Sequence, residues 1–477
     1  MTLASRWLRP PALLPRPALA WAALVLLACG GSRAETATKG APRQLVVLAT
    51  TDMKGKTSPC GCHIPKGGFA RIASFVDSTR GVAPALYLDA GGFFPEQDGR
   101  TDLAEFMLAS LVRLKVAAVG IGPRDLRYGV AYLRDVARRT GAPLVCANLL
   151  DRKSQSPLFP TSRIVEVAGT RVGVFALVGD RLDVGPARDS LVVTDPENAA
   201  HAEVAALEAK GAKVIVLLAQ LGRAGGEDLV SAVPGIDAVI LGHDVPVYEA
   251  GRRIGGTVAS YSGEQGQHLG VVTIQLGPDG ATSDVTCTVA SLGPEIREQP
   301  GTLAIVKAFE DAFNERMRRE ERSAYAADAD SDPVDHFVGE SICARCHVAE
   351  SQQWRTTAHS LAWETLMRVK KDATPECIPC HVVGYHKAGG FETAARTPLL
   401  VNVQCENCHG MGTEHGDDWL TRQKVGEGTC RTCHNQERDP EFDFPAKFPL
   451  IVHGNTSGES IRIVKARREH GYSSDGR

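Results

Sequence analysis

The pattern Cys-x-x-Cys-His occurs four times between residues 343 and 434, and it decides what that part of the chain can become. The copies are Cys343-Ala-Arg-Cys346-His347, Cys377-Ile-Pro-Cys380-His381, Cys405-Glu-Asn-Cys408-His409 and Cys430-Arg-Thr-Cys433-His434. Two thiols on one turn can take up the two vinyl groups of a haem, and the imidazole beside them then reaches the iron. A lone Cys-x-x-Cys would serve a zinc knuckle, an iron–sulfur cluster or a thioredoxin-like dithiol equally well. A His directly after every pair, four times in less than a fifth of the chain, selects covalent haem c. Four haems are expected, with His347, His381, His409 and His434 as proximal iron ligands.

A chain of 477 residues has room for two or three domains, and a net charge of -3 gives no basic surface for nucleic acid. Arg6, Arg9 and Arg16 precede an apolar run at residues 18–28 that is too short to span a bilayer. The run ends in Leu26-Leu27-Ala28-Cys29-Gly30, which resembles the lipobox of bacterial lipoproteins and implies lipid on the Cys29 thiol after cleavage. A plain secretory signal with an incidental cysteine is the alternative. Either reading exports the protein to the periplasmic side of the cell envelope, and Gly30 favours the outer membrane. The expected organisation is a signal peptide at 1–28, a polar tether at 29–42, an α/β domain at 43–292, a helical linker at 293–335, a tetrahaem domain at 336–454 and a tail at 455–477.

Short apolar runs at residues 45–50, 85–89, 116–121, 144–148, 172–178, 214–219 and 238–241 read as buried strands. Helical patterns at 102–114, 130–139 and 198–210 lie between them. Such alternation predicts an α/β domain with largely parallel central strands. Several strands end in Ala49-Thr50-Thr51-Asp52-Met53-Lys54-Gly55, Gly67-Gly68-Phe69-Ala70-Arg71-Ile72, Leu88-Asp89-Ala90-Gly91-Gly92, Cys146-Ala147-Asn148 and Ile236-Asp237-Ala238-Val239-Ile240-Leu241-Gly242-His243. Their order resembles the metallophosphoesterases of the 5′-nucleotidase and UDP-sugar hydrolase family, which implies that family's four-layer α/β sandwich.

The resemblance also shows what is missing. Members hold two divalent metals whose bridging hydroxide attacks phosphorus. Here Asp52 keeps the first carboxylate, but Lys54 stands where a His belongs, Gly92 replaces the bridging Asp, and Gly122-Pro123-Arg124-Asp125 replaces Gly-Asn-His-Glu. Gln220 replaces a further His; His243 survives, with Val245 where its partner His belongs. Asp52 and His243 are a remnant of a divalent site, and Lys54 and Arg124 place positive charge where two cations would sit. A bound divalent metal is therefore not expected here, and phosphohydrolase activity is expected to be lost.

Eight of the 13 cysteines belong to the haem motifs; Cys60, Cys62, Cys146 and Cys287 are left once Cys29 is set aside. Cys60-Gly61-Cys62-His63 follows Asp52 in the loop that borders the old cleft by the family's geometry. It resembles the Cys-Gly-Cys loops of a redox-like branch of the phosphoesterases, and Cys60 and Cys62 are candidates for a redox pair or a soft-metal site. Disulfide pairing of either with Cys146 or Cys287 is the structural alternative.

The module that carries the haem motifs, mainly α-helical or irregular and poor in aliphatic residues, leaves the porphyrins to form most of its core. It resembles the tetrahaem cytochromes associated with hydroxylamine oxidation through Phe337-Val338-Gly339, Gln353-Trp354, Cys380-His381-Val382-Val383-Gly384-Tyr385, residues 410–415 and residues 442–453. By that resemblance His359, His415 and His453 are the distal iron ligands and the second haem is five-coordinate, with His386 the other candidate for its sixth position. The sequence thus predicts an exported, lipid-anchored tetrahaem electron carrier, with redox partner proteins and an inactive nucleotidase-like domain. A redox enzyme coupling Cys60/Cys62 to the haems, or a residual phosphohydrolase, is the alternative.

Overall fold

The computed structural model describes residues 43–59, 64–96, 99–325, 336–415, 425–436 and 438–454. Cys29 and the apolar segment before it, Cys60, Cys62 and His63 lie outside the described residues, as do the side chain of His415 and the whole of His470. In chain order the first strands are β1 (Arg43–Thr50), β2 (Ala85–Asp89), β3 (Ala118–Val119), β4 (Leu149–Asp151), β5 (Ser162–Val167) and β6 (Thr170–Val178). After them come β7 (Leu191–Val193), β8 (Val214–Gln220), β9 (Ala238–Gly242), β10 (Arg252–Ile254), β11 (Thr257–Ser260), β12 (His268–Leu276) and β13 (Thr282–Ser291). The helices between them are α1 (Phe69–Val82), α2 (Thr101–Arg113), α3 (Val130–Thr140), α4 (Pro196–Ala209) and α5 (Gly222–Ala232), and α6 (Pro300–Tyr325) follows.

Two sheets result. One has the order β13-β12-β1-β2-β3, parallel across β1, β2 and β3 and antiparallel at β12 and β13. The other runs β10-β11-β9-β8-β6-β5, with a parallel centre and antiparallel edges at β10 and β5. Strand β1 explains the layering. Alternate side chains leave opposite faces, and Leu45 and Val47 enter the core between the sheets while Val46 and Leu48 enter the core beneath α1, α2 and α3. A strand covered on both faces reads as a near-continuous apolar run, as β8 does from Val214 to Ala219, with all seven of its residues buried. Leu207 of α4 and Leu229 of α5 close the far side. Helix, sheet, sheet, helix is the four-layer α/β sandwich.

Two of the expected strands differ. Of residues 116–121 only Ala118 and Val119 pair as a strand, since Gly120 turns back to bond the Asp89 carbonyl at 2.7 Å. Residues 144–148 form no ladder: the Cys146 amide bonds Pro160 and the Ala147 amide bonds Ala176, so successive groups serve different partners. Helix α6 is also more than the expected linker. Val306 and Phe313 are buried, and Phe309 stacks on Phe106 of α2 at 4.0 Å.

Within residues 336–454, no helix of the described residues exceeds seven residues. A small apolar cluster of Phe337, Trp363, Ile378, Val382, Val383 and Phe391 packs around the second motif. No described helix is long and apolar enough to cross a membrane.

Candidate functional site

The four motifs are neighbours in space. The Cys343 and Cys405 thiols are within hydrogen-bonding reach, which joins the first motif to the third. Cys433 and Cys380 are joined in the same way, linking the fourth to the second, and Cys408 lies close to Cys430 and Cys433. The motifs therefore follow one another in the spatial order second, fourth, third, first.

Two of the motif histidines have a second imidazole close by. His359 lies with its ring centroid 6.2 Å from that of His434, and His453 lies 6.0 Å from His409. A metal bonded to two imidazoles at about 2.0–2.1 Å each would hold the ring centroids roughly 6 Å apart. These donor pairs fit an iron with two axial histidines. Each pair joins residues distant in sequence, so the register comes from tertiary packing.

The hydrogen bonds on the other ring nitrogen decide which atom is available. His434 Nδ1 meets Asp439 at 2.7 Å, His381 Nδ1 meets the Ala362 carbonyl at 2.5 Å, and His453 Nδ1 meets the Gln353 side-chain oxygen at 3.2 Å. All three partners accept, so Nδ1 carries the proton and Nε2 keeps its lone pair. Asp439 and the role of Gln353 were beyond sequence reasoning, because nothing in the spacing separates Asp439 from other surface acids. His386 is exposed, with its ring 4.0 Å from Tyr385, and His336 is exposed as well.

The second site lies where the parallel strands end, the position α/β sheets use for ligands. Asp52 follows β1, Gly91 and Gly92 follow β2, Gln220 ends β8 and His243 follows β9. Asp52, Gln220 and His243 line a cleft of about 280 Å³ together with Lys54, Arg124 and Asp244. The Asp52 carboxylate accepts from Thr51 Oγ1 at 2.9 Å, the His243 amide at 2.8 Å and Gln220 Nε2 at 3.4 Å. Burial pushes its pKa up. The Gln220 amide oxygen is buried without a partner.

Lys54 lies nearly buried among Glu264, Asp244 at 3.2 Å and Glu96 at 4.0 Å, and Arg124 reaches Glu96 at 3.4 Å. Burial draws the lysine pKa down, but Glu264 and Asp244 outweigh it and hold the group above its ordinary range. The positive charge that the sequence places in the cleft is thus matched by carboxylates from the loops that follow β2, β9 and β11. Asp52, Lys54, His243 and Asp244 all have positive φ, a concentration of backbone strain typical of a functional cleft.

Asp125 takes another role than a metal ligand. Its carboxylate accepts from the amides of Gly92 at 2.7 Å, Gly122 at 2.8 Å and Phe94 at 3.0 Å, tying two loops together. Asn148 does the same between Val178 and Thr194. Cys146 and Cys287 are free thiols, which removes the expected alternative of a disulfide from either to Cys60 or Cys62.

Burial raises Asp89 to about 8 and Asp125 to about 7, each with a second carboxylate nearby. A carboxyl raised in the folded state binds its proton more tightly there than in the unfolded chain, where it titrates near about 3.9. The stability contributed is full below about 4 and is lost as pH rises through 7 and 8. Melting of the amino-terminal domain is accordingly expected at a higher temperature at mildly acidic than at mildly alkaline pH. Asp89→Asn should flatten that slope in thermal melts; an unchanged slope would exclude Asp89 as its source.

The family model described as cytochrome c554 and c-prime matches residues 342–410. The cytochrome c-554 of Nitrosomonas europaea is 36% identical over 177 residues, covering 28% of this chain and 75% of that protein. A 2′,3′-cyclic-nucleotide 2′-phosphodiesterase/3′-nucleotidase of Salmonella typhimurium is 25% identical over 331 residues, covering 57% of this chain and 50% of that one. The chain spans about half the length of the curated nucleotidase relatives it matches. The structure of a 5′-nucleotidase precursor from Thermus thermophilus superposes with a TM-score of 0.51 at 18% identity, over 75% of this chain and 73% of that chain, and supports the fold.

Proposed function

The chain belongs to the cytochrome c554 family through its carboxy-terminal part, and from that membership we propose that it is an exported, lipid-anchored tetrahaem electron carrier fused to an inactive nucleotidase-like domain. Membership implies covalent haem c, which supplies a one-electron iron couple at each site when bound. The reading of four haems rests on the four motifs, whose cysteines hold the ring and whose histidines hold the iron. The observation that carries the electron-transfer reading is the facing of His359 on His434 and of His453 on His409. With haem bound, His434 with His359 and His409 with His453 would hold the iron between two imidazoles, which would suit those sites to electron transfer rather than substrate binding. His415 is the third distal candidate by resemblance, and the second motif is the one left with the open position.

The chain's own groups tune these sites. Asp439 accepts a hydrogen bond from His434 Nδ1–H and makes that imidazole a stronger ligand, which would favour the oxidised iron; the Ala362 carbonyl does less for His381. Asp439→Asn should therefore raise one midpoint potential and leave the others in place in a spectropotentiometric titration of the whole protein. A titration that superimposes on wild type would remove the assignment of Asp439 and weaken that of His434.

Loss of phosphohydrolase activity is supported by the occupied Asp52 carboxylate and the lysine salt cluster. A second reading, in which Cys60 and Cys62 exchange electrons with the haems, is favoured by their described neighbours. Lys56 acts electrostatically on Cys377, and Lys66 pairs with Glu441 at 3.7 Å. Stopped-flow reoxidation of the reduced protein separates the two readings: Cys60→Ser should match wild type if the chain is a carrier alone and slow the reaction if the pair takes part.

A further inference from the structure

Residues 370–376 lead directly into Cys377, and the amino-terminal part of the chain grips them repeatedly. Asp372 takes two hydrogen bonds from the Arg318 guanidinium, at 3.2 and 2.5 Å. Thr374 donates to Asn314 at 2.7 Å, and Asn314 is buried. Lys370 lies 3.6 Å from Asp311. Glu376 accepts from Arg100 at 2.9 Å, and both side chains are only 12% exposed. Arg100 is itself fixed, by Asp102 at 3.1 Å and by the Phe313 ring 3.6 Å from its guanidinium carbon.

An ion pair this shielded behaves unlike the screened pairs of an open surface. The second Glu376 carboxylate oxygen is buried without a hydrogen bond, so loss of Arg100 would leave a buried charge uncompensated and force the segment to move. Movement there reaches the motif at once, because the Thr374 carbonyl accepts from the amides of Cys377 at 2.9 Å and Ile378 at 3.2 Å. The turn that presents the first thiol of the second motif is thus built on a clamped residue.

The geometry points to the nucleotidase-like domain and α6 as one wall of the second haem site, with Arg100 and Arg318 as positioning residues that set that site alone among the four. The inference rests on the reading of Cys377, Cys380 and His381 as a haem site. It assigns the fused domain a task that needs no phosphoester chemistry: holding the second site, at one end of the motif series, in a fixed environment.

The test uses the full chain with haem loaded, comparing Arg100→Ala/Arg318→Ala, Arg100→Lys/Arg318→Lys and the isosteric Glu376→Gln with wild type. Haem content by pyridine haemochrome should be unchanged in all of them. One of the resolved midpoint potentials and one electron paramagnetic resonance component should shift in the alanine pair and in Glu376→Gln, with partial return in the lysine pair. Four unmoved potentials would overturn the inference, and so would a common shift of all four, which marks general loosening. Failure of the underlying reading shows separately, as an unchanged haem content in Cys377→Ala/Cys380→Ala.

Discussion

On the tetrahaem reading, chains in which Cys377 and Cys380 are both alanine should carry three haems against four in wild type, one for each Cys-x-x-Cys-His motif. The change removes both thioether anchors, so haemochrome content and intact mass under denaturing conditions should each fall by one haem. The effect on the fold should also be large. Phe337, Trp363, Leu366, Ile378, Val382, Val383, Phe391 and Leu400 form the apolar cluster beside this motif, and they are too few to fill the interior of the module alone. A missing porphyrin leaves these side chains facing a void many times larger than a deleted methyl group, and deleted core side chains already cost about 2–5 kcal/mol. Limited proteolysis should then cut within residues 336–454 much faster than in wild type while sparing the sandwich. Undiminished haem content in the variant would show that the second motif carries none, and the distinction drawn between it and its neighbours would fail with it.

The four haem motifs were legible because their chemistry is local: thiols and imidazole must sit within five residues, and the sequence displays them. Strand β2 was legible end to end for a similar reason, since an apolar run bounded by Pro84 and Gly91 needs no distant partner to be recognised. Residues 144–148 look equally apolar, yet the amides of Leu144, Val145, Cys146 and Ala147 bond to four separate places, and periodicity cannot reveal that. The same limit applies to the sites. Lys54 was visible as a lost ligand, but Asp244 and Glu264, which neutralise it, lie 190 and 210 residues away and meet it only through the sheet. The distal histidines followed from resemblance; that His359 faces His434 follows from packing. The grip of Arg100 on Glu376 spans 276 residues and has no signature in either segment.

Gly92→Ala should destabilise the amino-terminal domain by on the order of 3 kcal/mol. Gly92 has φ +76°, where a β-carbon is strained by about 1–2 kcal/mol. That carbon would also lie 2.2 Å from Asp52 Oδ1 and 3.1 Å from the Asp52 α-carbon, an overlap of the kind that costs about 1–3 kcal/mol. Asp52 cannot swing clear cheaply, because Thr51, Gln220 and the His243 amide hold its carboxylate. Urea unfolding followed by far-ultraviolet circular dichroism would measure the loss. The same geometry governs any return to the ancestral chemistry. Gly92→Asp restores the bridging carboxylate of the resembling enzymes on paper, yet it meets the same overlap and adds a charge beside Asp52, so it should destabilise more than alanine and take up no divalent ion. Inductively coupled plasma mass spectrometry finding two manganese or zinc ions per Gly92→Asp chain would show that the cleft still holds a metal site one substitution from completion. The expected result, haem iron without bound manganese or zinc, follows from Gln220 holding the Asp52 carboxylate and from Lys54 being fixed in the cleft by Glu264 and Asp244: reopening the site would require changing Lys54 and Gln220 together with Gly92 while keeping Asp52.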